Sequence, residues 1–328
     1  MKETFALFTT DLIVNLAFGL DPDCLKNKDS EFRKNGREIF NFNIFRAIEF
    51  SFFFFLPELV PICRFKSTID YVMDDRQKKG IKKGDVIDAL MNIRDASKSN
   101  EDENDIKFDD DVLLAQAALF FTGGFETSSS TMSFAVYELS KAPHYQQKLR
   151  DEIKDVFEKC DGKLTYEAVQ NMNFLNSVIQ ETLRLYPLMP YIDRECYLYE
   201  SEEGYSLEPF SPFEIPNGMP LFIPIYAIHR DPNYFPDPDT FIPDRFAPEN
   251  KDNIIPFTYM PFGVGPRNCI GERFGLLQVR VGLINFFKNH YVKQLKNEPT
   301  EIKFNSRSVL LQAVGGINCE VVRDPLLK

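Results

Sequence analysis

One cysteine set among glycines is the strongest chemical signal in this chain of 328 residues. The run Pro261-Phe262-Gly263-Val264-Gly265-Pro266-Arg267-Asn268-Cys269-Ile270-Gly271 leads straight into an apolar-periodic stretch expected to form the last helix, about Ile270–His290. A cysteine at a helix start meets the positive end of the macrodipole, which lowers the thiol pKa and favours the thiolate, the form that ligates metals. If that thiolate holds a flat metal macrocycle, Gly265 and Gly271 permit unusual φ angles and close approach, and the N–H groups beside them can point at sulfur. Arg267 suits an anionic edge such as a propionate, and Phe262 would cover one side. Taken alone, the same residues fit a buried structural cysteine in a glycine-rich turn equally well.

Two further groups stand out. Glu181-Thr182-Leu183-Arg184 puts an acid and a base at i,i+3 on one helix face, where they can pair; alone, this reads as an ordinary surface ion pair. Thr122-Gly123-Gly124-Phe125-Glu126-Thr127-Ser128 interrupts an otherwise uncharged helical stretch, and each interior glycine costs about 1 kcal/mol relative to alanine. The bland reading is a kink whose hydroxyls bond back to the preceding turn.

The elements that must position these groups are mostly helical at first, with short strands late. A helix is expected over Thr4–Leu20, stopped by Gly19, with charged helical stretches at Ser30–Phe45 and Thr68–Ile93 around a phenylalanine-rich segment near Phe52. Ser97–Asp105 reads as a solvated loop. From Asp109 to Lys141 runs a helix of ~50 Å, long enough that it must pass through a core. Helices follow at His144–Lys159 and Thr165–Leu185. Proline density then rises, with strands expected at Tyr191–Tyr199 and Met219–Ile228 and a terminal hairpin over Val309–Val322 turned at Gly315-Gly316. This order gives an α+β, mainly α-helical fold in a single domain over residues 1–328.

Composition excludes more than it assigns. With 38 basic and 49 acidic residues, the net charge of −11 argues against nucleic acid as a partner. Three dispersed histidines argue against a polyhistidine metal site, and six scattered cysteines without a C-x-x-C pair read as reduced thiols. No signal peptide and no run long enough to span a bilayer is visible.

Phe262-x-x-Gly265-x-Arg267-x-Cys269-x-Gly271 resembles the haem-binding signature of the cytochromes P450, and three other blocks agree with that family in content and order. Glu181-x-x-Arg184 matches its Glu-x-x-Arg motif, Phe241-x-Pro243-x-Arg245-Phe246 supplies the second arginine of its structural triad, and Thr122–Ser128 is similar to its oxygen-activation segment. Tyr186–Cys196 is similar to the stretch that passes the haem edge, where Arg194 aligns with a propionate-binding arginine. The resemblance runs through the whole chain and is greatest to the insect microsomal, xenobiotic-metabolising branch. Two departures are Gly123 where alanine is usual and Asp244 where glutamate is common. The membrane anchor, the early sheet and a haem-facing helix with tryptophan and arginine are not seen, so the chain is expected to be a P450 domain lacking its N-terminal part.

The resemblance implies haem b as cofactor with Cys269 as axial iron ligand. Arg267, Arg194, Phe262, Gly265, Gly271, Gly123 and Gly124 would contact the haem or leave room beside it, and Thr127 with Glu126 would relay protons. Leu188, Met189, Tyr191 and Ile192, with Phe120, Phe121, Leu310 and Leu311, would line an apolar pocket, each fitting ordinary core at least as well. His229, in His229-Arg230-Asp231-Pro232, is taken as structural. The implied reaction inserts one oxygen atom from O2 into a small apolar molecule. Electrons would come from NADPH through NADPH-cytochrome P450 reductase, with cytochrome b5 as an optional partner, at the cytosolic face of the endoplasmic reticulum membrane. The alternative is a truncated, non-catalytic product with weak or no haem binding.

Overall fold

The computed structural model describes residues 1–39, 72–99, 110–198, 204–296 and 301–327. The phenylalanine-rich segment around Phe52 and residues 100–105 of the acidic stretch lie outside them. In chain order come α1 (Lys2–Phe18), α2 (Glu31–Ile39), a helical run over residues 72–79, α3 (Val86–Ser99), α4 (Asp110–Lys141), α5 (Pro143–Lys159), α6 (Tyr166–Gln170) and α7 (Asn173–Leu185). Strands β1 (Ile192–Glu195), β2 (Gly204–Ser206), β3 (Glu214–Pro216) and β4 (Pro220–Ile223) follow, then the one-turn α8 (Ile225–Ile228). The chain continues through α9 (Glu272–Asn289), β5 (His290–Lys293) and β6 (Glu320–Arg323). Strands pair antiparallel as β1 with β4, β2 with β3 and β5 with β6. The fold is the mainly α-helical one expected. No helix among the described residues is long and apolar enough to cross a membrane.

The chain divides into two compact units, one of Met1–Gln170, Gly271–Ser308 and Gln312–Lys328, the other of Asn171–Ile270 and Val309–Leu311.

The first unit is built around α4. Its stretch from Phe125 to Ser140 is buried apart from Thr127, which is why the sequence there carries apolar and hydroxyl side chains around nearly the whole helix. The hydroxyls satisfy themselves locally, as Ser133 does by donating to the Ser129 carbonyl at 2.7 Å. On one side α1 packs closely, with Ile13, Val14, Ala17 and Phe18 in one core with Leu113, Leu114, Ala117, Phe121 and Phe125. The close approach depends on Gly124, where a Cβ would stand 2.6 Å from Ile13 Cδ1. On another side α9 approaches through Gly282, where a Cβ would strike Met132. Arg150 of α5 then ties down the end of α9, donating to the carbonyl of Phe287 at 2.8 Å, an acceptor that a helix end leaves unpaired, and to that of His290, where β5 begins, at 2.5 Å.

The second unit centres on α7, where Glu181, Thr182, Leu183, Arg184 and Leu185 are all buried. Pro190 and the β1–β4 pair follow it directly, and Leu311 returns from the end of the chain to donate its N–H to the Leu188 carbonyl at 2.9 Å.

Several elements differ from expectation. The helix expected over Thr68–Ile93 breaks across 80–85, where Gly80 and Gly84 adopt φ of 63° and 71°, angles a helix cannot contain. The one over Thr165–Leu185 is two helices, α6 and α7. The strand expected over Met219–Ile228 stops at Ile223, because Pro224 has no N–H to donate and instead starts a helical turn. The terminal hairpin is replaced by a bridge between Phe304 and Ala313 and by the β5–β6 pair, although Gly315 and Gly316 do turn the chain at φ 79° and 76°. Residues 97–99 close α3 instead of belonging to a loop. The glycine pair does not interrupt α4, whose neighbouring hydrogen bonds and packing hold it helical throughout.

Candidate functional site

In the second unit the cysteine loop is an exposed turn. Val264 through Ile270 are all exposed, Cys269 is a free thiol among them, and Ile270 is 89% exposed. Gly263 and Gly265 have φ of 72° and 80°, the left-handed region that glycine alone enters without strain. A Cβ at Gly265 would meet nothing within 4 Å, so the absence of a side chain serves conformation and the space at that position is open. The Cys269 N–H donates to the Phe262 carbonyl at 2.8 Å and the Asn268 N–H to the Gly265 carbonyl at 3.1 Å, which closes the loop on itself. Gly271 has φ −89° as the N-cap of α9, an angle open to any residue. The glycine expected there for unusual φ is therefore Gly263, because a helix N-cap needs no left-handed backbone.

Arg267 is exposed and makes no ion pair among the described residues, so its guanidinium is available to an anion. Arg194 is half-buried on β1, with Nη1 donating to the Asp193 carbonyl at 2.7 Å. Alternation along a strand puts Arg194 on the face of Ile192, and the position of a Cβ at Gly263 lies 3.3 Å from Ile192 Cδ1. The structure thus brings Arg194 to the strand face against which the cysteine loop rests.

Behind the loop, Glu181 and Arg184 form a fully buried pair at 0% exposure. Arg184 donates from Nε and Nη2 to the two carboxylate oxygens at 2.7 and 2.8 Å, and from Nη1 to the carbonyls of His229 and Pro238 at 2.9 and 2.7 Å. Glu181 also accepts from the Ile242 N–H at 2.8 Å and from Arg245 Nε at 3.4 Å. Arg245 is kept near by a 2.8 Å bond from Nη2 to the Asp237 carbonyl. Burying a charge is tolerable only when its partners are this numerous. The 3₁₀ turn Pro243–Phe246 explains the spacing, since it puts the Ile242 amide and the Arg245 side chain on one carboxylate. Arg230, half-buried beside this cluster, lies over the Tyr226 ring at 3.8 Å.

In the first unit, the four residues picked out on α4 separate by direction. Gly123 is exposed, a Cβ there would meet nothing within 4 Å, and Leu119 one turn earlier is 64% exposed. Thr127, one turn later, donates its hydroxyl to the Gly123 carbonyl at 2.7 Å and stays half-buried. These three share one helix face. Gly124 and Glu126 point elsewhere. Gly124 admits Ile13 of α1, so its lack of a side chain serves helix packing. Glu126 is buried in an ion pair with Lys2 and accepts from Gln312 Nε2 at 3.3 Å. Phe121, expected in an apolar pocket, belongs instead to the α1–α4 core, 5.0 Å from the Phe125 ring. Leu188, Leu310 and Leu311 are buried in the second unit, while Met189 and Tyr191 are exposed.

Lys2 and Gln312 were not visible from sequence as partners of Glu126, since neither sits in a motif and both lie far away in the chain. The Ile242 amide is equally silent, because any residue other than proline supplies it. His229 did carry a signal, as a histidine next to an arginine ahead of a proline turn.

The family model described as Cytochrome P450 matches residues 1–319 of this chain. The chain is 46% identical to Probable cytochrome P450 6g2 of Drosophila melanogaster over 99% of its own length and 65% of that protein. It is 40% identical to Probable cytochrome P450 6w1 of the same fly over 95% and 64%, and 38% identical to Cytochrome P450 9e2 of Blattella germanica over 96% and 62%. The chain therefore spans slightly less than two thirds of the length of these curated relatives. On the strength of both the family match and these identities, the chain belongs to the cytochrome P450 family, whose prosthetic group is haem b held through a cysteine thiolate.

Proposed function

We propose that this chain carries the catalytic part of a haem-thiolate monooxygenase that inserts one atom of dioxygen into a small apolar substrate. The residues present fit the prosthetic group: an exposed thiol, open space at Gly265, and two arginines, Arg267 and Arg194, near one loop and without ion pairs among the described residues. The observation that carries the reading is the cysteine loop itself, where Cys269 is exposed in a turn shaped by two left-handed glycines and closed by the hydrogen bond from its N–H to the Phe262 carbonyl. When bound, haem iron supplies dioxygen binding and one-electron chemistry that no side chain offers.

The chain's own residues have these roles. Cys269 would hold the haem iron through its thiolate. Arg267 and Arg194 would hold the propionates by charge-assisted hydrogen bonds, and Phe262 would cover the cysteine side. Gly123 leaves room on the exposed face of α4, and the Thr127 hydroxyl on that face donates and passes protons. Glu126 supplies the ionisable group of that relay once it parts from Lys2. Leu188, Met189, Tyr191, Ile192, Leu310 and Leu311 offer the apolar surface for substrate. Electrons come from NADPH through NADPH-cytochrome P450 reductase, with cytochrome b5 as a second donor. The protein sits at the cytosolic face of the endoplasmic reticulum membrane, as the resemblance to the family's insect microsomal branch suggests.

The test is to express the chain with haem and record the reduced carbon monoxide spectrum. A red-shifted thiolate-type Soret band that disappears in Cys269→Ala is expected. Failure of the unaltered chain to take up haem would favour the competing reading, a non-catalytic product, and overturn ours. In the active protein, Thr127→Ala is expected to uncouple reductant consumption from product formation, and unchanged coupling removes the proton-passing role.

A further inference from the structure

We propose that His229 is a positioning residue for the cysteine loop: it ties the backbone at Met260, where the loop begins, to the buried Glu181–Arg184 helix, and thereby holds Cys269 in place as a ligand. This inference rests on the haem-thiolate reading above and adds a residue to it.

The ring is used from both ends. The Met260 N–H donates to His229 Nε2 at 2.9 Å, and since an amide can only donate, that nitrogen carries no proton. The proton is on Nδ1, which donates to the Arg184 carbonyl at 3.2 Å, in the last turn of α7 where carbonyls have no intrahelical partner. The link is reciprocal, because Arg184 Nη1 donates to the carbonyl of His229 at 2.9 Å. The ring also stacks on Tyr259 at 5.3 Å and 25°, and the Tyr259 hydroxyl donates to the Gln180 carbonyl at 3.0 Å. Consecutive residues 259 and 260 are thus tied to α7 by two separate side chains.

From Met260 the path to the thiol is short. Its carbonyl accepts the Gly263 N–H at 3.1 Å, which sets the first left-handed turn, and the Phe262 carbonyl inside that turn accepts the Cys269 N–H at 2.8 Å. Releasing Met260 therefore lets the Phe262 carbonyl turn away from the cysteine amide. His229 acts through this backbone, since its ring is fully buried, its nitrogens face Met260 and Arg184, and its faces and edge meet the rings of Tyr259 and Phe235.

The two nitrogens can be tested apart. His229→Gln places an acceptor near the Nε2 position and keeps the bond to Met260. His229→Asn reaches only the Nδ1 position and keeps the bond to Arg184, and His229→Phe keeps stacking alone. In haem-free protein, amide hydrogen exchange of residues 260–269 is expected to rise about tenfold or more in the Asn and Phe variants while α4 stays protected, and to remain near the unaltered rate in His229→Gln. In haem-loaded protein, the Asn and Phe variants are expected to lose the thiolate-type Soret band in favour of a thiol-type band, and His229→Gln to retain it. Unchanged exchange and spectra in the Asn and Phe variants overturn the proposal. So does equal loss in all three, or loss of protection spread over the whole chain, either of which makes His229 a general packing residue. A haem-loaded unaltered protein with no thiolate band is a separate outcome that sinks the ligand reading first, and the exchange contrast then still decides whether His229 holds the loop.

Discussion

Glu181 and Glu126 are both buried carboxylates paired with a cation, yet the regions around them are built in opposite ways. Glu181 receives two bonds from Arg184, one from the Ile242 amide and a longer one from Arg245, so its charge is enclosed by donors fixed to several elements. Glu126 receives one flexible lysine, whose side chain is 31% exposed, and one long bond from Gln312. A carboxylate with four anchored donors cannot change partners without unfolding its surroundings; one with two loosely held donors can. The first region is a frame, and the second has the freedom that a proton relay requires.

The largest expected effect is on the frame. Glu181→Ala leaves Arg184 as an uncompensated buried cation, which costs about 3–5 kcal/mol and is expected to abolish cooperative urea unfolding or lower its midpoint severely. An Ala variant with an unchanged midpoint would mean that the cluster is not under the load its bonding implies. Within α4 the same contrast can be drawn between neighbours. Gly124→Ala forces a methyl into Ile13 and is expected to cost about 1–3 kcal/mol, whereas Gly123→Ala meets no atom and gains helix propensity of about 1 kcal/mol. Equal effects of the two substitutions on the thermal midpoint would contradict the direction assigned to each residue.

This difference also explains what could be read from the sequence. The Glu181–Arg184 pair was legible because i,i+3 spacing on a helix fixes residue type and position together, and the turn before α9 because Gly263, Gly265 and Pro266 announce it. The long helix was legible because a stretch of mostly apolar and hydroxyl-bearing residues, with few charges in its middle and flanked by acids and a proline, admits few other structures. What stayed hidden depends on contacts across the chain. Nothing near Gly124 announces Ile13, and nothing near Glu126 announces Lys2 or Gln312. The assignment of left-handed backbone to Gly263 and not Gly271 was hidden for a related reason, as it depends on where α9 starts, and helix starts are poorly fixed by sequence when no capping side chain marks them.

A pH effect separates the two regions without any substitution. Burial holds the His229 pKa down to about 4, from 6.5, and the Arg184 and Arg230 guanidiniums facing it push the same way, against the hydrogen bond to the Arg184 carbonyl. The folded state therefore binds fewer protons than the unfolded chain between these values, so stability rises with pH there and is lost as pH falls from about 6.5 towards 4. By pH 5 the loss from this one group is about 2 kcal/mol, ahead of the window in which carboxylates such as Glu3, also held low, begin to contribute. Urea unfolding at pH 7.5 and pH 5 is expected to show this loss, and His229→Gln to remove most of it. A loss that persists in the Gln variant would place the titrating group outside the Glu181 frame.

The smallest expected effect completes the comparison. Glu126→Gln keeps the side-chain shape and the oxygen that accepts from Gln312 but removes the charge facing Lys2. Because Lys2 is partly solvated, the ion pair is worth about 1 kcal/mol or less, and the thermal midpoint is expected to move little. Glu181→Gln, with the same change in atoms, turns one acceptor of a fully buried guanidinium into a donor and is expected to cost several times more. Measured side by side, the two Gln variants are a direct comparison of a carboxylate held as structure with one free to move. Equal losses would show Glu126 to be as fixed as Glu181, and a fixed acid cannot part from Lys2 to pass a proton to Thr127.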